Sequence, residues 1–252
     1  MRRFCFGLGL LTISISAMAS SAHKSTSKTD KIAASPWTGN ISFGFVGNTG
    51  NTDTNSLDGA FGLKYKQGPW EGNLNLTTRY AASSGETKAE RYSEAWQSRY
   101  YLGEKELRFL FAWFNGIQDR FATYNQVYSY AVGYGWRLLD TKTMHLDLQV
   151  GPGQRFSQIA GSDKRQDDTI IFGNATYHWQ FTEKTAFDQT LRTEYGEQNH
   201  FYESVSSIKT NLIGNLGLDV SYTVRYNSDI PKESKNKHNT DTITSVNLIY
   251  SF

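Results

Sequence analysis

"SVNLIYSF" closes the chain, from Ser245 to Phe252, and its apolar residues fall at Val246, Leu248, Tyr250 and Phe252. A terminal helix would space them by three and four, whereas strict alternation up to the last residue describes a strand with one apolar face. The same period runs back through almost the whole chain. The cleanest stretch, Tyr128, Tyr130, Val132, Tyr134, Trp136 and Leu138, keeps it over eleven residues, 128–138.

Twelve such segments follow one another after Trp37. Their apolar faces begin with Trp37, Ile41, Phe43 and Phe45, then Leu57, Phe61, Leu63 and Tyr65, then Trp70, Leu74, Leu76 and Tyr80. Tyr92, Trp96 and Tyr100 mark the fourth, and Leu107, Phe109, Phe111 and Trp113 the fifth. After the sixth come Met144, Leu146, Leu148 and Val150, then Ile171, Ala175, Tyr177, Trp179 and Phe181. The ninth and tenth are weaker (Phe187, Leu191, Tyr195; Tyr202, Ile208, Leu212), and Leu216 to Tyr226 precedes the terminal segment. Tight turns at 66–69, 102–105, 139–143, 182–185 and 213–215 alternate with longer polar stretches at 47–54, 81–90, 115–123, 156–168, 197–200 and 227–239. An even strand count with alternating turns and loops is the layout of a transmembrane β-barrel.

The remaining bulk properties agree. Arg2 and Arg3, the apolar run Phe4 to Ile15, and a small-residue site at Ala17-Met18-Ala19 or Ser20-Ser21-Ala22 describe a signal peptide over 1–22. Residues 23–36 are expected to form a disordered periplasmic leader, and 37–252 the barrel. Cys5 lies within the signal, so the mature chain offers no thiol chemistry. Without Arg2 and Arg3 the basic count falls from 26 to 24, against 24 acidic residues, which argues against a nucleic-acid partner. The chain is polar on average, with a mean hydropathy of −0.54, yet 14% aromatic.

Charges occupy the alternate positions: Asp58, Lys64, Glu71, Arg79, Arg91, Arg99, Arg108, Arg137, Asp147, Asp188, Arg192, Glu194, Asp219, Arg225 and Asp241. The apolar face carries aliphatic residues mid-strand and aromatics beside the turns, notably Tyr65, Trp70, Tyr100, Trp136 and Trp179, as an aromatic girdle in a bilayer requires. The fold class is therefore all-β, an antiparallel up-and-down transmembrane barrel of about twelve strands, with its polar face inward. Glu94 breaks the outer pattern at what is expected to be headgroup level. The strand Val246, Leu248, Tyr250, Phe252 closes the barrel against the first and is similar to the signal read by the outer-membrane assembly machinery.

Five stretches carry a family resemblance: "GFVGNTGNTDTNSLDGAFGLKYKQGPW" (44–70), "QDRF" (118–121), "VGYGWRLLDT" (132–141), "LQVGPGQRF" (148–156) and "DTITSVNLIYSF" (241–252). The sequence resembles the YdiY-like, salt-induced outer-membrane proteins (domain of unknown function 481). The resemblance implies an outer-membrane barrel in a Gram-negative bacterium and supplies no catalytic residues.

Function is less legible. Pairing Tyr101 with Glu106 around the fourth turn would set Arg99 opposite Arg108, two like charges that destabilise unless screened. Arg79, Arg91, Arg99, Arg108 and Arg137 would form a basic lumen wall facing Asp147, Asp188, Glu194, Asp219 and Asp241, a transverse field acting on small polar solutes. The leading expectation is a narrow channel for small hydrophilic solutes or ions. The alternative is a closed structural or envelope-stress barrel whose lumen is filled by ion pairs. A hydrolase ranks third: His145 and His178, with Asp147 and Asp188 nearby, have no serine motif beside them. Gly47 to Asp53 has oxygen-bearing side chains but one carboxylate, which suits a hairpin turn better than a calcium loop. Gly151-Pro152-Gly153 reads as a bend or bulge. The charged stretches 163–168 and 232–238 read as solvated loop tips, with lipopolysaccharide as the competing partner. The expected partners are the bilayer, lipopolysaccharide, the assembly machinery and small solutes; no catalytic, cofactor or metal residues are expected.

Overall fold

The computed structural model describes residues 35–48, 54–83, 85–162, 164–229 and 239–252. The expected signal peptide, nearly all of the leader, residues 49–53 of the Gly/Asn-rich loop and the 232–238 tip lie outside them. Twelve strands form the chain: β1 (Trp37–Asn48), β2 (Thr54–Gln67), β3 (Trp70–Ser83), β4 (Glu86–Leu102), β5 (Arg108–Asp119) and β6 (Tyr124–Asp140). They continue with β7 (Met144–Ile159), β8 (Arg165–Gln180), β9 (Thr185–Gly196), β10 (His200–Ile213), β11 (Leu216–Asn227) and β12 (Thr240–Ser251). Each pairs antiparallel with its sequence neighbours, and β12 returns to β1, so the sheet is a closed barrel with no edge left to protect.

Closure uses the residues that opened the sequence argument. Ile41 pairs with Tyr250 and Phe43 with Leu248. Gly39 and Phe252 exchange both backbone bonds, at 2.8 and 2.9 Å. The Phe252 ring fills the space where a Cβ on Gly39 would stand, 2.6 Å from it, so the terminal aromatic needs a glycine across the seam. At the β2–β3 turn, Gly68 takes φ +56° and Pro69 follows. A positive φ first and proline's fixed negative φ second is the order of a type II′ hairpin.

Alternation sorts side chains by face on eleven strands as expected. The five expected girdle aromatics point outward beside the short turns, with Trp37 packed on Tyr65 (4.7 Å between ring centroids), Trp70 on Tyr100 (4.8 Å) and Trp179 on Phe181 (4.3 Å). A second outward belt lies toward the loops, with Tyr130 against Phe156 (6.2 Å) and Tyr202 against Tyr226 (6.1 Å). Between the belts the outer face is aliphatic and exposed, as at Leu110, Val132, Leu191, Ile208 and Val246.

Strand β5 is the exception. Its register is Tyr101↔Phe109, not Tyr101↔Glu106, a slip of three residues. An odd slip turns every side chain to the other face. Phe109, Phe111 and Trp113, expected outside, are therefore buried inside, while Leu110 faces out. Arg108 faces out with it, beside Leu102 and Trp136, and Arg99 stands opposite Phe111. The expected Arg99–Arg108 clash does not exist.

Two further expectations change. Three of the expected long loops are mostly strand: β3 runs to Ser83 and β4 restarts at Glu86, β5 runs to Asp119, and β7 and β8 leave only residues 160–164 between them. Beyond the lipid belt both faces of a ribbon are polar, which erases alternation without ending the strand. Gly151-Pro152-Gly153 is not a bulge, because the pairs Ala131↔Gly153 and Tyr134↔Val150 keep one register across it. A Cβ at Gly151 would stand 2.8 Å from the Gly133 Cα, so these glycines allow β6 and β7 an unusually close approach.

Candidate functional site

Lipid outside and strands of 12–17 residues leave one concave polar surface, the lumen. Its two halves differ. Against β4–β9 the interior is packed: Tyr101, Phe109, Phe111, Trp113, Ala131 and Phe172 form a buried cluster, none more than 9% exposed. Phe172 sits 4.4 Å from Trp113 and 5.6 Å from Phe111, centroid to centroid. The cluster fits because the wall behind it has no side chains: the Phe109 ring occupies the Cβ side of Gly135, and a Phe111 ring carbon lies 2.9 Å from where a Gly133 Cβ would be. Here lies the reason for the apolar inner face of β5, which neighbours a core rather than water.

Arginines continue this packing in both directions. Toward the short turns, Arg99 lies over Phe109 (4.8 Å) and Arg137 over Tyr101 (5.2 Å). Asp147 accepts from both, 2.7 Å from Arg99 Nη1 and 2.8 Å from Arg137 Nε. Glu71 stands 3.7 Å from Arg99, and the Tyr101 hydroxyl accepts from Arg137 at 2.9 Å while donating to Glu71 at 3.3 Å. Toward the loops, Arg192 lies over Trp113 (5.2 Å) and Phe201 (4.9 Å) and binds Glu194 (2.9 Å) and Glu203 (3.1 Å). Glu203 also accepts from Arg225 at 2.6 Å, and Arg91 binds Asp119 at 3.0 Å. Arg79 binds its β2 neighbour Asp58 at 2.7 Å and reaches across the seam to the Ser245 hydroxyl at 2.5 Å.

Of the expected lumen charges, Arg79, Arg91, Arg99, Arg137, Asp147, Asp188, Glu194 and Asp219 face inward within these or similar contacts, Asp219 accepting from Ser207 at 2.6 Å. Asp241 is the cross-strand partner of Arg225 at the exposed loop end. Arg108 is on the outer surface. Opposite charges interleave instead of forming a basic and an acidic wall. Arg155 and Glu203 lie outside the expected set although their parity, shared with Asp147 on β7 and opposite to outward Tyr202 on β10, marks them as inward. Asp168, assigned to a loop tip, is buried in β8 and accepts from the Gln198 amide at 3.0 Å. Glu94 is exposed on the outer face, over the gap left by Gly116.

The other half of the lumen is lined with small polar side chains. Asn40 and Ser42 on β1, Ala60 and Gly62 on β2, Asn75 and Thr77 on β3, and Ser221 and Thr223 on β11 have inward parity. Asn75 and Thr77 stay exposed although they face the interior midway along β3. At the short-turn end a cavity of about 520 Å³ is lined by Asn40, Gly62, Lys64, Asn73, Asn75 and Ser251. Beside it, sharing Lys64, a cavity of about 670 Å³ takes in Lys66, Glu71, Arg137, His178 and Lys209. At the loop end, between Arg91, Tyr124, Arg155 and Arg225, a cavity measures only about 50 Å³. Among the described residues the free volume forms a funnel, wider at the short turns than at the loops.

The expected His-Asp pairs take a different form. His178 Nδ1 lies 2.7 Å from Asp188, but His145 Nδ1 lies 2.7 Å from Asp140, not Asp147. A register shift between Arg137 and Leu139 brings Asp140 round to the inner face.

Known proteins match the architecture. The Escherichia coli (strain K12) protein YdiY, itself described as uncharacterized, is 26% identical over 219 residues, covering 87% of this chain and 84% of that protein. Among solved structures, an outer membrane channel from Pseudomonas putida F1 superposes with a TM-score of 0.52 at 10% identity, covering 90% of this chain and 100% of its own. The translocator domain of autotransporter NalP from Neisseria meningitidis gives 0.49 at 8% identity, over 86% and 87%. At 10% identity the likeness to the Pseudomonas putida channel shows the fold, an outer-membrane β-barrel. Residues 41–252 match the family described as "Protein of unknown function, DUF481", and the chain belongs to that family.

Proposed function

We propose that this barrel is a narrow, off-axis channel for small hydrophilic solutes or ions, passing along the β10–β12 and β1–β3 wall beside a packed aromatic and ionic spine. One observation carries the reading: Asn75 and Thr77 face the lumen at mid-height and remain exposed, while residues on the opposite wall are buried. Twelve strands lie between the barrels that side chains fill and the porins that keep a wide aqueous channel. Half-filling such a lumen leaves room for water and small ions rather than for oligomers. The channel architecture of the Pseudomonas putida protein is compatible with this.

The turn end, with the funnel's wide mouth, faces the periplasm, as short turns do in bacterial barrels. The chain reaches the outer membrane through its signal peptide and is inserted by the assembly machinery, which reads Val246, Leu248, Tyr250 and Phe252. Lipopolysaccharide contacts the outer aromatic belt and the loops.

The narrow loop end favours a second reading, a barrel sealed by its ion pairs and serving a structural role. Conductance decides between them. The refolded protein in a planar bilayer should give small ohmic steps, and Asn75→Trp or Thr77→Trp should reduce them several-fold. Silence from a folded barrel, or steps indifferent to both substitutions, would reject the off-axis path.

A further inference from the structure

Four inward side chains stand side by side on one row of the sheet near the short turns. Asp140 on β6, His145 on β7, His178 on β8 and Asp188 on β9 are successive cross-strand partners. The two imidazoles are neighbours, 6.0 Å between centroids and 17° from parallel, and the carboxylates flank them. Each Nδ1 is 2.7 Å from its aspartate, which fixes the proton on Nδ1 and leaves the lone pair on Nε2. Among the described residues neither Nε2 has a hydrogen-bond partner, and both histidines line the 670 Å³ cavity. A carboxylate holding the far nitrogen of an imidazole is the outer-shell arrangement that orients metal-binding histidines and raises their basicity.

The geometry points to a two-histidine site for a borderline transition-metal dication, Cu²⁺ foremost, at the turn-side mouth of the lumen. Imidazole nitrogens suit Cu, Ni and Zn, whereas Mg²⁺ and Ca²⁺ demand oxygen. Metal–nitrogen distances of about 2.0–2.1 Å put the two Nε2 atoms within roughly 4 Å of each other. Rings on directly opposed residues reach that by tilting toward one another, with solvent completing the coordination. Lys209, 3.0 Å from Asp188, works against a cation, as do Lys64, Lys66, Arg99 and Arg137 elsewhere in the cavity lining, so the site should favour the metal with the strongest imidazole affinity, which is Cu²⁺ in the divalent series.

The test uses the mature, untagged chain folded in detergent. Because the chain has five histidines, a background of His23→Ala, His200→Ala and His238→Ala isolates the pair. Cu²⁺ titration by calorimetry and electron paramagnetic resonance should show one site in this background with coupling to two nitrogens. His145→Gln or His178→Gln should each weaken it at least tenfold, and Asp188→Asn by about 10- to 100-fold. Mg²⁺ should not bind. Coupling to a single nitrogen, or Cu²⁺ affinity unchanged in a folded His145→Gln/His178→Gln chain, would overturn the assignment.

Discussion

Asp147→Asn is the sharpest perturbation of the lumen. The carboxylate is the shared acceptor of two guanidiniums, and the side chains of Arg99 and Asp147 are each 7% exposed, with Arg137 at 14%. Removing one partner of a buried ion pair costs about 3–5 kcal/mol, because the remaining charge stays desolvated. Arg99 keeps Glu71 at 3.7 Å and Arg137 keeps the Tyr101 hydroxyl at 2.9 Å, so the lower end applies, about 3 kcal/mol. With a urea m-value of about 2 kcal/mol/M, the midpoint of equilibrium unfolding in micelles should fall by about 1.5 M. Asp219→Asn, which loses its negative charge and weakens one hydroxyl contact on the roomier wall, should move it far less. Adding Arg99→Gln to Asp147→Asn should recover part of the loss, since one stranded charge goes with it. An Asp147→Asn midpoint indistinguishable from the parent would mean that water already solvates these arginines, and the packed half of the lumen would be a misreading.

Phe172→Ala should cost about 3–5 kcal/mol as a large-to-small change at a fully buried ring, and in the bilayer should raise single-channel conductance several-fold by merging the packed half with the open one. Gly135→Ala should destabilise by about 1–3 kcal/mol in the same unfolding assay, because its methyl group would overlap the Phe109 ring. Arg108→Glu should leave the reversal potential in a salt gradient unchanged, whereas Arg99→Glu should move it; an equal shift from both would place β5 in the other register. Phe252→Ala should slow assembly into vesicles, followed by the gel-mobility difference between folded and unfolded barrel, since it empties the space over Gly39 at the seam.

How far the sequence can be read depends on what each face of a strand meets. On β6 one face meets lipid and the other carries Ser129, Ala131, Gly133, Gly135 and Arg137, so alternation identifies both sides. On β5 lipid lies outside and an aromatic core inside, and both faces are apolar. A period of two then has two equally good phases, and only the five-residue turn, 103–107, selects one. The lumen contacts were legible as residue types but not as partners. Arg99 and Asp147 are 48 positions apart, and their meeting depends on how β5 and β6 curve between them. The Asp140–His145 pair was hidden for a local reason, the register shift after Arg137, which puts Asp140 on the face opposite to the one its position implies.

The same physics explains why this lumen combines arginine with aromatic rings. A bilayer takes up the aliphatic residues of the outer face, so apolar side chains cannot all be spent inside, yet a twelve-stranded cylinder is too wide for one layer of ordinary side chains to fill. Arg, Tyr, Phe and Trp are the side chains long enough to reach well into it, and glycines at 133 and 135 give the Phe111 and Phe109 rings space to lie flat. Long cations inside a low-dielectric wall must be paired, and each buried arginine here has a carboxylate within 4 Å or an aromatic face to lie on, several having both. Where the spine stops, at mid-height on β11 through β3, the wall reverts mostly to Ser, Asn, Thr and Gly, which are too short to meet across the barrel. The passage is therefore a product of side-chain reach: if Asn75 and Thr77 were replaced by Arg and Phe, the remaining half should pack as β4–β9 does, and conductance should cease while the fold persists.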